Sequence, residues 1–388
     1  MLFVFILCGL ASALTNRSVD TLITSIARDF SIPVATAALM SSIFAFPYAL
    51  GQPVLGPLGD FYGKTRILVA CLWVLAISVV GSVLAPTFEL VLAFRLVGGV
   101  AAGGIMPVTM AMMGDRYPPA QRQLAIGRFL IAGLSGMVFG STLAGLMAVT
   151  WGWRSYLWVA ALICFVAAIC TTIALRQTNA AAKPVAHIRL SDARRSYAQV
   201  FSNPKAVLCF ATVFLEGLSF YGVTPYIAEL METAKLGTAR EAGFVLGSFG
   251  IGGILYSLTL PMVLRTLRRR SMMTWGGLLG SAGLWGLMFA LSWPVAALLF
   301  GVSGYGFFLL HNSIQAEVAE LAAEARSSAF ALHSCAFFAG AAVGPILVGL
   351  GLHAIGPQVL LINIVVFAAT GITASRLFAR YPTASGRL

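Results

Sequence analysis

The chain has 388 residues, 59% of them hydrophobic and 10% charged, with a mean hydropathy of +0.91. An ordinary soluble domain carries about 25% charged residues, so this composition excludes a soluble globular enzyme, a disordered chain and a collagen-like one. Apolar runs of about twenty residues exclude the alternating strands of an outer-membrane barrel and leave a polytopic helical membrane protein of roughly a dozen spans.

Hydropathy places spans at 2–27, 34–58, 67–85, 88–113, 123–148, 154–175, 206–230, 242–264, 272–291, 295–316, 327–350 and 357–378. The first begins at Leu2 without a basic segment ahead of it and runs past Asp20, so it is expected to be a retained helix rather than a cleaved signal. The six cysteines lie inside apolar segments without metal-ligand spacing and read as small packing residues. Between spans six and seven the polar stretch 177–205, with Lys183, His187, Arg189, Arg194 and Arg195, forms a basic linker. It divides the chain into a first six-helix bundle, 1–176, and a second, 206–388. Its charge suits solvent and anionic lipid.

With the N-terminus inside, inner loops and tail receive 18 of the 25 Lys and Arg. The outer loops receive four (Arg28, Arg154, Lys235 and Arg240), and Arg17, Arg95 and Arg128 fall within spans. This asymmetry puts both termini on the cytoplasmic side. It also accounts for the net charge of +12 without a nucleic-acid partner.

The halves repeat. The Gly56–Arg66 loop after span two has its image 205 residues on, at Pro261–Ser271. Gly136 and Gly140 in span five stand 204 residues before Gly340 and Gly344 in span eleven, as Arg122 stands before Arg326. A constant offset means two related bundles, and such bundles place binding near the midplane between them.

Gly56-x-Leu58-Gly59-Asp60-x-x-Gly63-Lys64-x-Arg66, lying between spans two and three, resembles the signature loop of the major facilitator superfamily. The resemblance covers essentially the whole chain. It implies an all-α fold of twelve transmembrane helices in two pseudo-symmetric six-helix bundles. It also implies a gating role for Asp60 with Lys64 and Arg66, to which Asp115 and Arg122 at neighbouring inner ends are added. Arg95, followed by Gly98 and Gly99, resembles the family's intramembrane arginine motif, associated with proton coupling. Span five resembles the antiporter motif in Gly127, Gly136, Gly140 and Gly145, but has Ser141 where that motif has Pro and Ala144 where it has Gly. Among branches, the chain is most similar to the twelve-span drug/proton antiporter-like and sugar-efflux-like permeases. Monomeric operation is the family expectation.

Ionisable residues within spans are costly and so mark function by default. Arg17 and Asp20 share a helix face, and Arg95 has a similar depth, so Asp20 is expected to lie between Arg17 and Arg95. That arrangement serves either as a permanent ion pair fixing helix packing or as one that breaks on protonation or substrate binding. The excess of Arg could also hold a substrate carboxylate. Glu216, near the middle of span seven, has no basic residue within a turn and is suited to carrying a proton. His311 and His333 could relay protons. With Asn312, Tyr221 and Tyr305 they complete the candidate substrate-binding set of Arg17, Arg95 and Glu216. Arg128 is expected to snorkel to the inner interface or to pair with Asp115 or another gate residue.

No nucleotide-binding loop, metal spacing, nucleophile-base arrangement or cofactor motif is present in the sequence. The expectation is a transporter rather than an enzyme, in a bacterial inner membrane. It would move a small organic solute outward by alternating access, with protons coupled through Glu216, Asp20 and Arg95. The alternative is uptake or uniport of an organic anion held by Arg17 and Arg95.

Overall fold

The computed structural model describes residues 1–176, 190–322 and 325–380; the side chains of residues 56, 57, 60, 119, 120, 122–124, 127, 176, 190–194 and 327 lie outside it. Among the described residues every regular element is a helix. A chain this apolar must satisfy its backbone internally once water is excluded, and helices do so within one segment.

Span one comprises α1 (Leu2–Asn16) and α2 (Ile23–Asp29), joined by a 3₁₀ turn over Ser18–Leu22. Then follow α3 (Val34–Ala37), α4 (Leu39–Tyr62), α5 (Lys64–Leu84), α6 (Phe88–Arg116), α7 (Pro119–Thr150) and α8 (Trp153–Arg176). A short amphipathic helix, α9 (Leu190–Phe201), precedes span seven, which is α10 (Lys205–Val223) and α11 (Ile227–Thr233) around a 3₁₀ turn at Thr224–Tyr226. The remaining helices are α12 (Ala239–Thr266), α13 (Arg269–Leu287), α14 (Trp293–Val318), α15 (Arg326–Ile355) and α16 (Gln358–Phe378). Among the described residues eleven segments are long and apolar enough to cross a membrane. The glycine- and serine-rich α13, at the place of the ninth span, is not among them.

Local chemistry sets the ends. Gly63, at φ 97°, makes the turn between α4 and α5, a conformation that side chains with a Cβ resist. Proline opens α7, where its missing N–H has no carbonyl to meet. The Thr87 hydroxyl accepts from Leu90 N at the start of α6. The breaks in spans one and seven correct the expectation of continuous helices over 2–27 and 206–230.

The chain forms two compact units, one of residues 1–193 with 224–247 and one of residues 194–223 with 248–388. The repeat is visible in the backbone at an offset of 204. Residues 23–29 of α2 map onto 227–233 of α11, and each helix is followed, two residues past its end, by a non-glycine residue at positive φ, Ser31 (54°) and Lys235 (57°). The capping bonds repeat as well: Ile32 N to Ala27 O at 2.9 Å, and Leu236 N to Met231 O at 2.8 Å. Gly152 and Gly356, both at positive φ, are another matched pair.

Packing repeats too. In the first unit Gly136 lies against Leu10 and Ala13, and Gly140 against Leu14 and Ser18. In the second, Gly340 lies against Phe214 and Leu218, and Gly344 against Leu218 and Gly222. Small residues let the backbones of α1 and α7, and of α10 and α15, approach closely. Gly145 serves a different neighbour and packs on Gly243 of α12.

Candidate transport sites

The first polar cluster is a product of the break in span one. Where α1 stops at Asn16, its last carbonyls lose their helical partners. Tyr156 Oη donates to Leu14 O at 2.9 Å, and Arg95 Nη1 donates to Thr15 O at 2.7 Å. Arg95 Nε also donates to Met40 O at 3.4 Å, and the guanidinium carbon lies 4.0 Å from the Phe44 ring centroid. Its Nη2 meets no acceptor among the described residues.

The 3₁₀ turn carries Asp20 inward, where it is 1% exposed. One carboxylate oxygen accepts from Ser41 Oγ of α4, and the other accepts from Thr224 Oγ1 at 2.8 Å. Arg17 Nη1 lies 3.8 Å from Oδ2. Asp20 is thus bound to Arg17 as expected, but Arg95 forms no ion pair with it among the described residues. Equal depth fixed only the height of Arg95. Its direction around α6 is set by the freed carbonyl of Thr15. Ser41 and Thr224 were missed by sequence reasoning, although the 204-residue offset already made Thr224 the image of Asp20.

At the ends assigned to the cytoplasm, Lys64 Nζ donates to Asp115 Oδ2 at 2.6 Å. The second unit repeats the pair 205 residues on, with Arg269 Nη1 2.9 Å from Glu320 Oε1. Glu317, 5% exposed, adds to it, 3.1 Å from Arg269 and 3.7 Å from Lys205. Arg66 and Arg128 are exposed. Asp115 is held by Lys64, which corrects the expected pairing with Arg128. Asp60 and Arg122 fall in α4 and α7, but their side chains lie outside the described residues, as does Gly127. Lys183, His187 and Arg189 of the linker lie outside them entirely. At the opposite ends Arg28 pairs with Glu232, and Arg154 with Asp29 at 2.5 Å.

The second cluster belongs to the second unit. Glu216 of α10 is fully buried, and its Oε2 lies 2.9 Å from His311 Nδ1 of α14. The other oxygen has no partner among the described residues. His333 of α15 is 1% exposed, neither ring nitrogen has a partner among the described residues, and its ring centroid is 5.1 Å from that of His311. Phe307 stacks on His311, Phe337 meets it edge-on, and Tyr221 closes against both phenylalanines.

Of the expected substrate-binding set, the structure brings together Glu216, Tyr221, His311 and His333. Tyr305 and Asn312 lie on another face of α14. The Tyr305 hydroxyl is 2.9 Å from Thr259 Oγ1, and Asn312 reaches the Tyr256 hydroxyl. Among the described residues no three His, Cys, Asp or Glu side chains are grouped to hold a metal.

Sequence comparison gives a match to the Major Facilitator Superfamily over residues 5–324 and 209–388. An uncharacterised MFS-type transporter of Bacillus subtilis, YwfA, is 24% identical over 255 residues, 66% of this chain and 62% of that protein. The 4-hydroxybenzoate transporter PcaK of Pseudomonas aeruginosa is 25% identical, covering 59% of this chain and 56% of its own. The gentisate transporter of Corynebacterium glutamicum is 24% identical, covering 61% and 55%. The aligned part is less than two thirds of the length of each of these relatives. Two solved structures share the fold at 15% identity. One is a bacterial homolog of the human lysosomal transporter Spinster, with a TM-score of 0.75 over 99% of this chain and 98% of that one. The other is the nucleoside transporter NupG, with a TM-score of 0.74 over 97% and 98%. With the signature loop, the internal repeat and a matching profile over both halves, this integral membrane protein belongs to the Major Facilitator Superfamily.

Proposed function

We propose that the protein is a secondary transporter that exports a small organic solute by alternating access in exchange for protons. The supporting observation is the buried Glu216–His311 pair beside His333. An ionised carboxylate taken out of water without a countercharge costs several kcal/mol. Burial therefore tolerates two states, a protonated Glu216 beside neutral His311, or a carboxylate beside an imidazolium. Which ring nitrogen carries the proton is set by such neighbours. Both states hold one proton, on Glu216 or on His311; coupling to solute comes when that proton leaves the pair through the neighbouring His333 on one side and is replaced from the other. The glycines of span five, which resemble the antiporter motif, support the outward direction. The bundles 1–176 and 206–388 are taken as the two rocking halves of a monomer in a bacterial inner membrane.

The test is reconstitution of the purified protein in vesicles containing a pH-sensitive dye. A proton gradient is imposed and drugs, sugars and organic anions are added, with Glu216→Gln in parallel. Solute-dependent proton movement that is lost in the variant is the expected result. Solute movement unchanged in Glu216→Gln rejects the coupling assignment.

A second reading is uptake or uniport of an organic anion held by Arg17 and Arg95. Arg95 Nη2, buried and without an acceptor among the described residues, favours it. So do the names of two relatives, whose substrates 4-hydroxybenzoate and gentisate are aromatic carboxylates. Binding of such acids that is abolished in Arg95→Gln, with no proton movement, selects this reading.

A further inference from the structure

We propose that a pocket between α2 and α11 is a binding site for a small organic ammonium ion, separate from the two clusters above. The pocket has a volume of about 390 Å³ and is shaped by the ends of α2 and its repeat image α11. That size falls in the range of small-molecule sites and far exceeds a single desolvated alkali ion. All its lining residues belong to the first compact unit.

Charge decides the class of ligand. Glu229 and Glu232 line the pocket together with one cation, Arg28, which is already bonded to Glu232 Oε2. The set therefore carries one net negative charge. Glu232 Oε1 is buried and has no hydrogen-bond partner among the described residues. An ammonium N–H donates to such an oxygen in a short charge-assisted bond.

An independent observation comes from α2. Thr24 is 2% exposed, lines the same pocket, and its Oγ1 has no partner among the described residues. Other helical threonines, such as Thr212 and Thr370, satisfy their hydroxyls on the carbonyl four residues back. A buried hydroxyl without that bond lacks the partner that buried polar groups nearly always have. It can accept a second ammonium hydrogen. Ala27, Ile32 and Val34 supply an apolar wall for the alkyl part. The pocket thus offers carboxylates, a hydroxyl and a hydrocarbon surface, which matches an amine bearing a short chain.

The test is calorimetric titration of the full chain, in nanodiscs of zwitterionic lipid, with n-butylammonium chloride. Sodium chloride, n-butanol and sodium butyrate are titrated in parallel. Saturable binding of butylammonium alone is expected, weakened at least tenfold in Glu229→Gln, several-fold in Thr24→Val and not at all in Glu216→Gln. Thermal unfolding of each variant checks that it folds, and Glu229→Asp, which keeps the charge, should bind within a fewfold of the parent. Absence of saturable binding overturns the proposal. So does equal binding of butanol or sodium, or binding that survives Glu229→Gln and is lost in Glu216→Gln. The last result would assign the amine to the central cluster and leave the transport reading standing.

Discussion

Thr224 Oγ1 donates to Asp20 Oδ2 at 2.8 Å, and the two residues are 204 positions apart, the interval that relates α2 to α11. Each is the other's counterpart in the repeat. The same holds for Arg28 and Glu232. The broken spans therefore meet through matched positions.

Thr224→Val removes the hydroxyl that reaches Asp20. Hydrogen bonds between membrane helices contribute about 1–2 kcal/mol. Amide exchange across residues 224–233 is expected to rise roughly tenfold, since about 1.4 kcal/mol is a factor of ten. Mass-spectrometric hydrogen exchange measures this; unchanged protection would mean that Ser41 and Arg17 suffice to hold Asp20.

His333→Phe separates proton transfer from packing. Neither ring nitrogen of His333 has a partner among the described residues, and replacing such a group by an apolar one of similar shape is close to neutral or stabilising. The thermal unfolding midpoint should stay level or rise. Solute-dependent proton movement in vesicles should be lost. Intact proton movement would end the relay at His311.

Arg95→Met leaves the carbonyl of Thr15 without the donor that now reaches it at 2.7 Å, and removes the cation from the Phe44 ring. An unsatisfied buried acceptor costs about 1–3 kcal/mol. Denaturation in detergent should show a loss of that size. Arg95→Lys should recover only part of it, because an ammonium cannot reproduce the fork that reaches both carbonyls.

Glu317 and Glu320 share Arg269 but should differ in weight. Glu317→Gln leaves Lys205 and Arg269 facing each other at a site only 5% exposed at the acid. The loss is expected to reach about 2 kcal/mol, below the 3–5 of a fully buried pair because the Arg269 side chain is 36% exposed. Glu320→Gln, at an exposed position, should cost less than about 1 kcal/mol, and that cost should vanish in high salt while most of the Glu317→Gln loss persists. Unfolding midpoints at two salt concentrations compare them.

Much of this arrangement is legible in the sequence, because lipid imposes length and polarity on each span. The spans follow from apolar runs, and the repeat from matched glycines that pack against matched helices in both halves. Lys64 was placed by its loop motif. The break in span one was not foreseen, since Ser18 to Leu22 contain neither Gly nor Pro and hydropathy does not separate a 3₁₀ turn from an α-helix. Pro225, in the matching turn of span seven, was the available signal, and the offset would have carried it back to span one. The Glu216–His311 pair joins residues 95 apart on different helices, and local pattern holds no such information. Glu317 lies beyond the end given to span ten, in a final turn of α14 that hydropathy had counted as loop.

A position that touches its own counterpart has a history that other positions do not. In a symmetric pair of half-length chains, such a site faces an identical copy of itself. Two aspartates would crowd like charges where Asp20 now meets Thr224, and two arginines would do so where Arg28 now meets Glu232. A single gene encoding one half cannot write an acid on one side and a base on the other. An Arg–Glu pair such as Arg28–Glu232 needs two copies that differ, which one chain holding both halves provides. At Arg28 and Glu232 the two halves of this chain differ in the sign of their charge, and the proposed amine pocket is built from that difference.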